Sequence, residues 1–188
     1  MKKIIVTCAT REEFVQIDWH EAEIGHLLTG LGKTKSAYYL AEAIRTQRPD
    51  LVMNVGTAGT LHHRVGDIFV CRHFIDRDME KLKDYGISYE IELPTDKLDF
   101  VPACLYNNNG ICNTGDTFLT EHEDVTGDVV DMEAYAQAFV CQSMKVPFVA
   151  VKYVTDIVGQ NSVEIWQDKL KDAVNALRTF FNNSPQTL

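Results

Sequence analysis

No apolar run in this sequence approaches the roughly 20 residues that a membrane-spanning helix needs. The opening MKKIIVTCAT has neither the apolar core nor the cleavage site of a secretory leader, so a cytoplasmic protein without a membrane partner is expected. Positive charge is scarce. Eighteen Lys and Arg face 27 Asp and Glu, for a formal net charge of −9. That argues against nucleic acid as a partner, because a phosphate backbone needs a basic face. Cysteine is odd in number and unpaired in pattern: Cys8, Cys71, Cys104, Cys112 and Cys141 contain no CxxC spacing and lie mostly in apolar surroundings. They read as reduced core residues. His62 and His63 are adjacent instead of four apart, so they read as a loop feature and not a helix-borne metal pair. No metal and no cofactor is expected. There is no internal repeat, linker or low-complexity stretch, and 188 residues with 45% hydrophobic content suit one domain, 1–188, around one core.

What is present is an alternation of strand-like and helical segments. Residues 3–9 form a continuous apolar run, read as a buried strand, that ends in the charged tip Thr10-Arg11-Glu12-Glu13. Residues 14–23 show no clear period, and 23–29 read as a short strand. The segment Thr29-Gly30-Leu31-Gly32-Lys33-Thr34 ends like a phosphate loop. The first glycine of that pattern belongs at position 27, where Leu27 stands, so an ATP site of that type is rejected. The segment reads instead as a glycine turn feeding a helix over 35–47, stopped by Pro49. Residues 50–55 read as a strand followed by a turn of small residues, 56–60. Residues 68–75 read as another strand, and the charged stretch 76–84 as a solvated face. Residues 85–102 read as a loop with a helix beginning near Thr95-Asp96, and 107–110 as a turn. Val129 and Val130 end a strand, 134–142 form a helix, 147–157 (PFVAVKYVTDI) form a strongly buried strand, and 163–182 carry a helical period. The tail after 182 is expected to fray. The pattern predicts a three-layer α/β/α fold around a mixed, mostly parallel sheet.

Four polar tips, TREE, GTAG, GDTF and DME, follow strand ends, with a fifth at VTD. In a mostly parallel sheet such tips converge on one edge, where open α/β folds bind ligands. The set holds three carboxylates (Glu13, Glu133 and Asp156), backbone-exposing small residues (Thr57 to Gly59) and an aromatic, Phe118. Glu133 sits at the first turn of a helix, where a carboxylate gains from the helix N-terminus. Taken alone, Asp131 and Glu133 read equally as simple helix caps. The whole inventory suits a ligand with a flat apolar part and a hydroxylated part.

The motifs ATREE, TGLGK, NVGTAG, VGDIFV, TGDTF, VVDMEAYA and VPFVAVKYVTD occur in one order along the chain. In that order the chain resembles the nucleoside phosphorylase superfamily, most closely its 5′-methylthioadenosine/S-adenosylhomocysteine nucleosidase branch. The resemblance implies cleavage of the N-glycosidic bond of a purine nucleoside, with water as nucleophile, no cofactor and a homodimeric assembly. It implies that Asp156 is the acid at purine N7, that Glu133 holds the ribose hydroxyls and that Glu13 positions and activates water. It further implies that Phe118 and the Leu119 backbone meet the purine, that Thr57, Ala58 and Gly59 line ribose and base, that Met132 lies under the sugar and that Thr155 stands beside the acid. Trp166 falls where an aromatic closes the purine pocket, and Leu31 where the 5′ substituent ends; each reads equally well as core. Met79 and Leu82 are candidates for the 5′ pocket of a neighbouring subunit. The chain departs from the family in its short segment 14–23, in DRDMEKLKDY at 76–85, which lacks a histidine and the usual aromatics, and in Lys152, where arginine is common. Arg11 leaves phosphorolysis open, although Glu13 would repel a phosphate. A hydrolase of another modified nucleoside, of futalosine type, and a non-catalytic nucleoside-binding homologue also remain open.

Overall fold

The computed structural model describes residues 1–20, 22–95, 98–107, 110–119, 125–160 and 162–183. Its elements are β1 (Lys2–Cys8), a 3-10 turn (Arg11–Glu13), β2 (Ala22–Leu28), α1 (Lys33–Gln47), β3 (Leu51–Thr60), β4 (Ile68–Asp76), the short helix α2 (Arg77–Glu80), β5 (Glu90–Glu92), the short helix α3 (Cys104–Asn107), β6 (Gly110–Thr114), β7 (Val129–Asp131), α4 (Ala134–Met144), β8 (Phe148–Ile157) and α5 (Ser162–Asn182). Most pairings are parallel: β2–β1, β1–β3, β3–β8, β4–β6 and β6–β7. β8 meets β4 antiparallel, so the sheet consists of two parallel sets running in opposite senses. The convergence expected on a single parallel edge therefore takes another form. The sheet curls until β3 touches β7 at Gly59 and Val130, which brings the carboxyl ends of both sets together.

The strands are apolar on both faces because both faces are covered. Ile4, Val6, Met53, Val55, Val149 and Val151 point to one core, shared with Ala173, Leu177 and Phe181 of α5. The alternate residues Ile5, Val52, Ala150 and Val154 point to the other, shared with Leu40 and Ile44 of α1 and Ala134, Ala138 and Cys141 of α4. The two-residue period of each strand thus splits one hydrophobic run into two cores, giving the three layers the sequence predicts. Among the described residues no helix is long and apolar enough to cross a membrane. All five cysteines are free, and four of them are buried.

Several segments differ from the sequence reading. Residues 56–60 are not a turn but the second half of β3. Their register against β8 slips between Ala58 and Gly59, where β8 carries one extra residue, Thr155, just before Asp156. Residues 14–20 lack a period because they form no ladder, and Ala22 and Glu23 already belong to β2. Val15, Ile17 and Trp19 are buried under α5, with the Trp19 ring 6.1 Å from that of Phe181. The stretch 76–84 is not simply solvated. Asp76 and Arg77 are buried, and Asp76 caps α2 by accepting from the backbone of Asp78 and Met79. In 85–102 the structure has the short strand β5, and no helix begins at Thr95. Asp96, Asn108, Asn109, Asn161 and the tail 184–188 lie outside the described residues. His62 and His63 stand in the turn after β3, where His63 Nε2 lies 2.9 Å from Asp128 Oδ1.

Candidate active site

The turn before α1 is where the chain first commits to a site. Gly30 and Gly32 adopt φ of 75° and 92°, in the left-handed region that favours glycine. This turn exposes the first N–H groups of α1, and they meet the chain's own carboxylates. Gly32 N donates to Glu133 Oε1 (2.9 Å) and Lys33 N to Asp116 Oδ1 (2.8 Å). A helix N-terminus is a natural anion site, and here two side chains fill it. That is the physical reason TGLGKT is no phosphate loop.

Glu133 occupies the N-cap of α4, yet the side chain that caps this helix is Asp131, whose Oδ2 accepts from Ala134 N at 2.9 Å. Asp131 is fully engaged. Its Oδ2 also meets Lys152 Nζ at 2.8 Å, and its Oδ1 accepts from Thr114 Oγ1 at 2.5 Å. The ion pair is buried, with Lys152 only 2% exposed. Lys152 holds the Asp131 carboxyl below the usual range against the effect of burial, and the carboxylates around Lys152 keep its amine above its ordinary value. Lys152, standing where arginine is common, thus neutralises a buried carboxylate. Glu133 is held through Oε1 by Gly32 N–H, which leaves Oε2 for a ligand. Burial first, and the Asp131 charge second, push its carboxyl from 4.5 up to about 8, outweighing Lys152 and the Gly32 N–H.

The sign of that shift has a consequence for stability. The folded protein holds the Glu133 proton more tightly than the unfolded chain does. The resulting stability is complete below pH 4.5 and is lost as pH rises towards 8. Glu133→Gln keeps an oxygen for Gly32 N–H and carries no charge. It should therefore raise the melting temperature above the wild type at pH 9 and leave it nearly unchanged at pH 4. A pH-independent difference in thermal unfolding would show that the carboxyl titrates normally.

Glu13 is buried, and its Oε1 accepts from Thr57 N (3.0 Å) and Thr57 Oγ1 (2.6 Å), while Oε2 accepts from Thr10 N (3.2 Å). Trp166 of α5 donates its indole N–H to Thr57 Oγ1 at 2.9 Å. Asp156, also buried, accepts from Thr155 Oγ1 at 2.8 Å. The glycines of NVGTAG have a specific purpose. A Cβ on Gly56 would lie 3.1 Å from Glu13 Oε1, and one on Gly59 would lie 3.1 Å from Asp156 Oδ2. The sequence reading gave these small residues to the ligand; the structure gives two of them to the chain's own acids.

All three carboxylates line one cavity of about 120 Å³. Thr57, Ala58, Gly59 and Thr155 form its floor from β3 and β8. Phe118, Leu119 and Met132 close one side, and Leu31 and Trp166 stand at its margin. Phe118 and Trp166 face each other edge to face, with centroids 6.4 Å apart. Neither Trp166, which is half-buried, nor Leu31, which is 51% exposed, is a core residue. Met79 and Leu82 are exposed and do not line the cavity of their own chain. Arg11 is exposed and outside it as well.

Sequence reasoning missed Arg77. It lines the cavity, is buried, and binds Asn113 O and Oδ1 (3.3 and 3.2 Å) and Thr117 O (2.9 Å). Its guanidinium lies over Gly115, where any Cβ would fall 2.5 Å from Nη2. The glycine of GDTF was the available signal: it marks a close approach, and the approaching group is this arginine. Lys33 was missed too. Its Nζ pairs with Asp76 (2.9 Å) and Asp78 (2.6 Å), tying α1 to the start of α2. Among the described residues no cluster of three or more His, Cys, Asp or Glu is placed to hold a metal ion.

An α/β protein that gathers three buried carboxylates and an aromatic pair at the carboxyl ends of its strands is built for a polar ligand with a flat apolar part. Its family follows from comparison: the chain belongs to the phosphorylase superfamily, whose model matches residues 6–183. It is 31% identical, over 82% of its length and 75% of the relative's, to a 5′-methylthioadenosine/S-adenosylhomocysteine nucleosidase of Colwellia psychrerythraea. Its fold resembles that of the Helicobacter pylori nucleosidase of the same name, with TM-score 0.78, 19% identity and 97% of each chain covered. It also resembles the futalosine hydrolase of Helicobacter pylori, with TM-score 0.76, 19% identity and 95% of each chain covered.

Proposed function

We propose that this N-glycosyl hydrolase cleaves the bond between base and ribose in an adenine nucleoside such as 5′-methylthioadenosine or S-adenosylhomocysteine, with water as nucleophile. The observation that carries the reading is the placing of Glu13, Glu133 and Asp156 around one cavity with distinct partners. Asp156, beside Thr155, gives its proton to purine N7 as the glycosidic electron pair moves onto the base. Glu133 accepts hydrogen bonds from the ribose hydroxyls and, in its ionised form, stabilises the positive charge growing on the sugar. Glu13, fixed by two bonds from Thr57, takes a proton from water while the oxygen closes on C1′. Phe118 and Trp166 flank the flat base, with Leu119 at its edge, and Met132 lies under the sugar. Leu31 faces the 5′ substituent.

Water is favoured over phosphate on charge. The N–H groups a phosphate would use at α1 are already bound to Glu133 and Asp116, Arg11 lies outside the cavity, and Arg77 is bound to Asn113 and Thr117. Glu13 adds repulsion where a phosphate would enter. The test is release of free base from 5′-methylthioadenosine, S-adenosylhomocysteine, adenosine, inosine and futalosine, with and without phosphate. Adenine should appear from the first two in phosphate-free buffer. Turnover that requires phosphate, or that is confined to futalosine, would replace this reading.

The enzyme is a cytoplasmic homodimer in this proposal, one domain per chain. Tyr38, Tyr39 and Phe139 are exposed on the contacting helices α1 and α4, and Met79 and Leu82 are exposed as well. Such a cluster of apolar side chains suits a partner surface. Sedimentation should give a dimer, and Tyr38→Glu should shift it to monomer; a wild-type monomer at micromolar concentration would remove this assembly.

A further inference from the structure

A second cavity, of about 350 Å³, lies at the opposite end of the sheet from the site above. It is larger than the catalytic cavity and falls within the ~300–1,000 Å³ usual for small-molecule pockets. Leu51 and Val149 form its base at the amino ends of β3 and β8. Leu93, Pro94 and Leu98 and the last turn of α4 form its walls. In this apolar setting stands Arg72, only 9% exposed. Its Nη1 donates to Leu105 O at 2.7 Å, and its guanidinium lies over the Tyr106 ring at 5.0 Å. Among the described residues no carboxylate pairs with it, and of those lining the cavity the only other charged side chain is Lys145, at the rim. Lys145 is held there by a left-handed backbone, φ 57°, that ends α4. Burial lowers the Arg72 pKa, and what partly offsets it comes from Tyr106 and Cys71, not from an acid. A guanidinium stays charged even so. A buried cation without a counter-charge is costly, and this one stands in a protein whose net charge is −9.

We propose that this cavity is a second ligand site, taking an apolar carboxylic acid whose carboxylate binds the Arg72 guanidinium while its body fills the space between Leu93, Leu98 and Val149. The planar fork of arginine matches a carboxylate at two points, and a guanidinium lying over a ring keeps its N–H edge for in-plane acceptors. A phosphate suits the pocket less. Its second charge would be desolvated among apolar walls with no array of backbone N–H groups to receive it.

The probes are 2-naphthoate and its neutral amide, titrated calorimetrically into the full-length protein. The acid should bind at least about tenfold more tightly than the amide, the factor of a charge-assisted hydrogen bond. Arg72→Met should remove that preference while base release stays within about twofold, since Arg72 is remote from the cavity of Glu13 and Asp156. Should Arg72→Met fail to fold, Leu98→Trp, which fills the cavity and keeps the cation, should weaken the acid by a similar factor. Equal affinity for acid and amide, no binding of either, undiminished binding in these variants, or inhibition purely competitive with nucleoside would each overturn the proposal.

Discussion

Asp156→Asn should slow base release from 5′-methylthioadenosine by about 10²–10⁴-fold, the usual contribution of a positioned general acid. Asn has the same shape and keeps a hydrogen bond from Thr155, so the space opposite Gly59 is still filled and nucleoside affinity should change little. What Asn cannot do is transfer a proton. A riboside whose leaving group needs none, such as 4-nitrophenyl ribofuranoside, should therefore be cleaved by the variant at nearly the wild-type rate. An equal loss on both substrates would mean that Asp156 holds the active-site frame and is not the acid. Glu13→Gln should show the opposite pattern, slowing both substrates, because each needs an activated water. Initial-rate assays of the two variants on the two substrates separate the roles without a structure of either.

Lys152→Met should be the most damaging change outside the cavity. It removes the cation and leaves Asp131 buried, with its charge facing Cys112, Glu133 and the apolar core. Breaking a buried pair by deleting one partner costs about 3–5 kcal/mol. For a chain of this size that lowers the melting temperature by on the order of 10 °C. The double variant Lys152→Met with Asp131→Asn should recover much of the loss. No charge is then stranded, and Asn still offers an oxygen to Ala134 N–H at the head of α4. Failure of the double variant to recover would show that the cost lies in packing and not in charge. The pH dependence separates this pair from Glu133. The Asp131 carboxyl is lowered, so its contribution is present above the ordinary carboxylate range and fades only as pH falls. The Lys152 amine is raised, so its contribution fades only at strongly alkaline pH. At pH 5 the Lys152→Met loss should already be present while the Glu133→Gln gain is still small, and both should grow towards pH 9, because Lys152 faces Asp131 and Glu133 alike.

The legible parts of this chain were those whose side chains repeat with a single period. β1, β8, α1 and α5 fall within two residues of where apolar spacing puts them. β3 was cut short because Gly56 to Thr60 has the composition of a turn, and only the pairing with β8 reveals that it continues as strand. Residues 14–20 carry buried Val15, Ile17 and Trp19 without a period, since they pack against α5 as a loop. The charged run at 76–80 looked solvated because sequence alone cannot show that Asp76, Asp78 and Lys33 satisfy one another. Twelve of the site residues named from the sequence line the cavity, all but Trp166 of α5 on or just after strand ends, while Met79 and Leu82 do not line it. Arg77 was invisible because its signal, the glycine at 115, sits 38 positions away and makes sense only once β4 and β6 lie side by side.

The bare backbone at Gly56 and Gly59 limits how this enzyme can change. A loop-borne acid can drift by an ångström as its loop is remodelled over many generations. Here the two acids rest against the peptide planes of a central strand, one on each side of a bulge, and their clearances are those of an oxygen on a main chain. Such a seat takes a side chain at either position only if the acid gives way by a few tenths of an ångström. The chemistry at the cavity floor should therefore stay fixed while the rim, from Leu31 to Trp166, remains free to diversify. New specificity in this lineage would come from the rim and not from the strand beneath it.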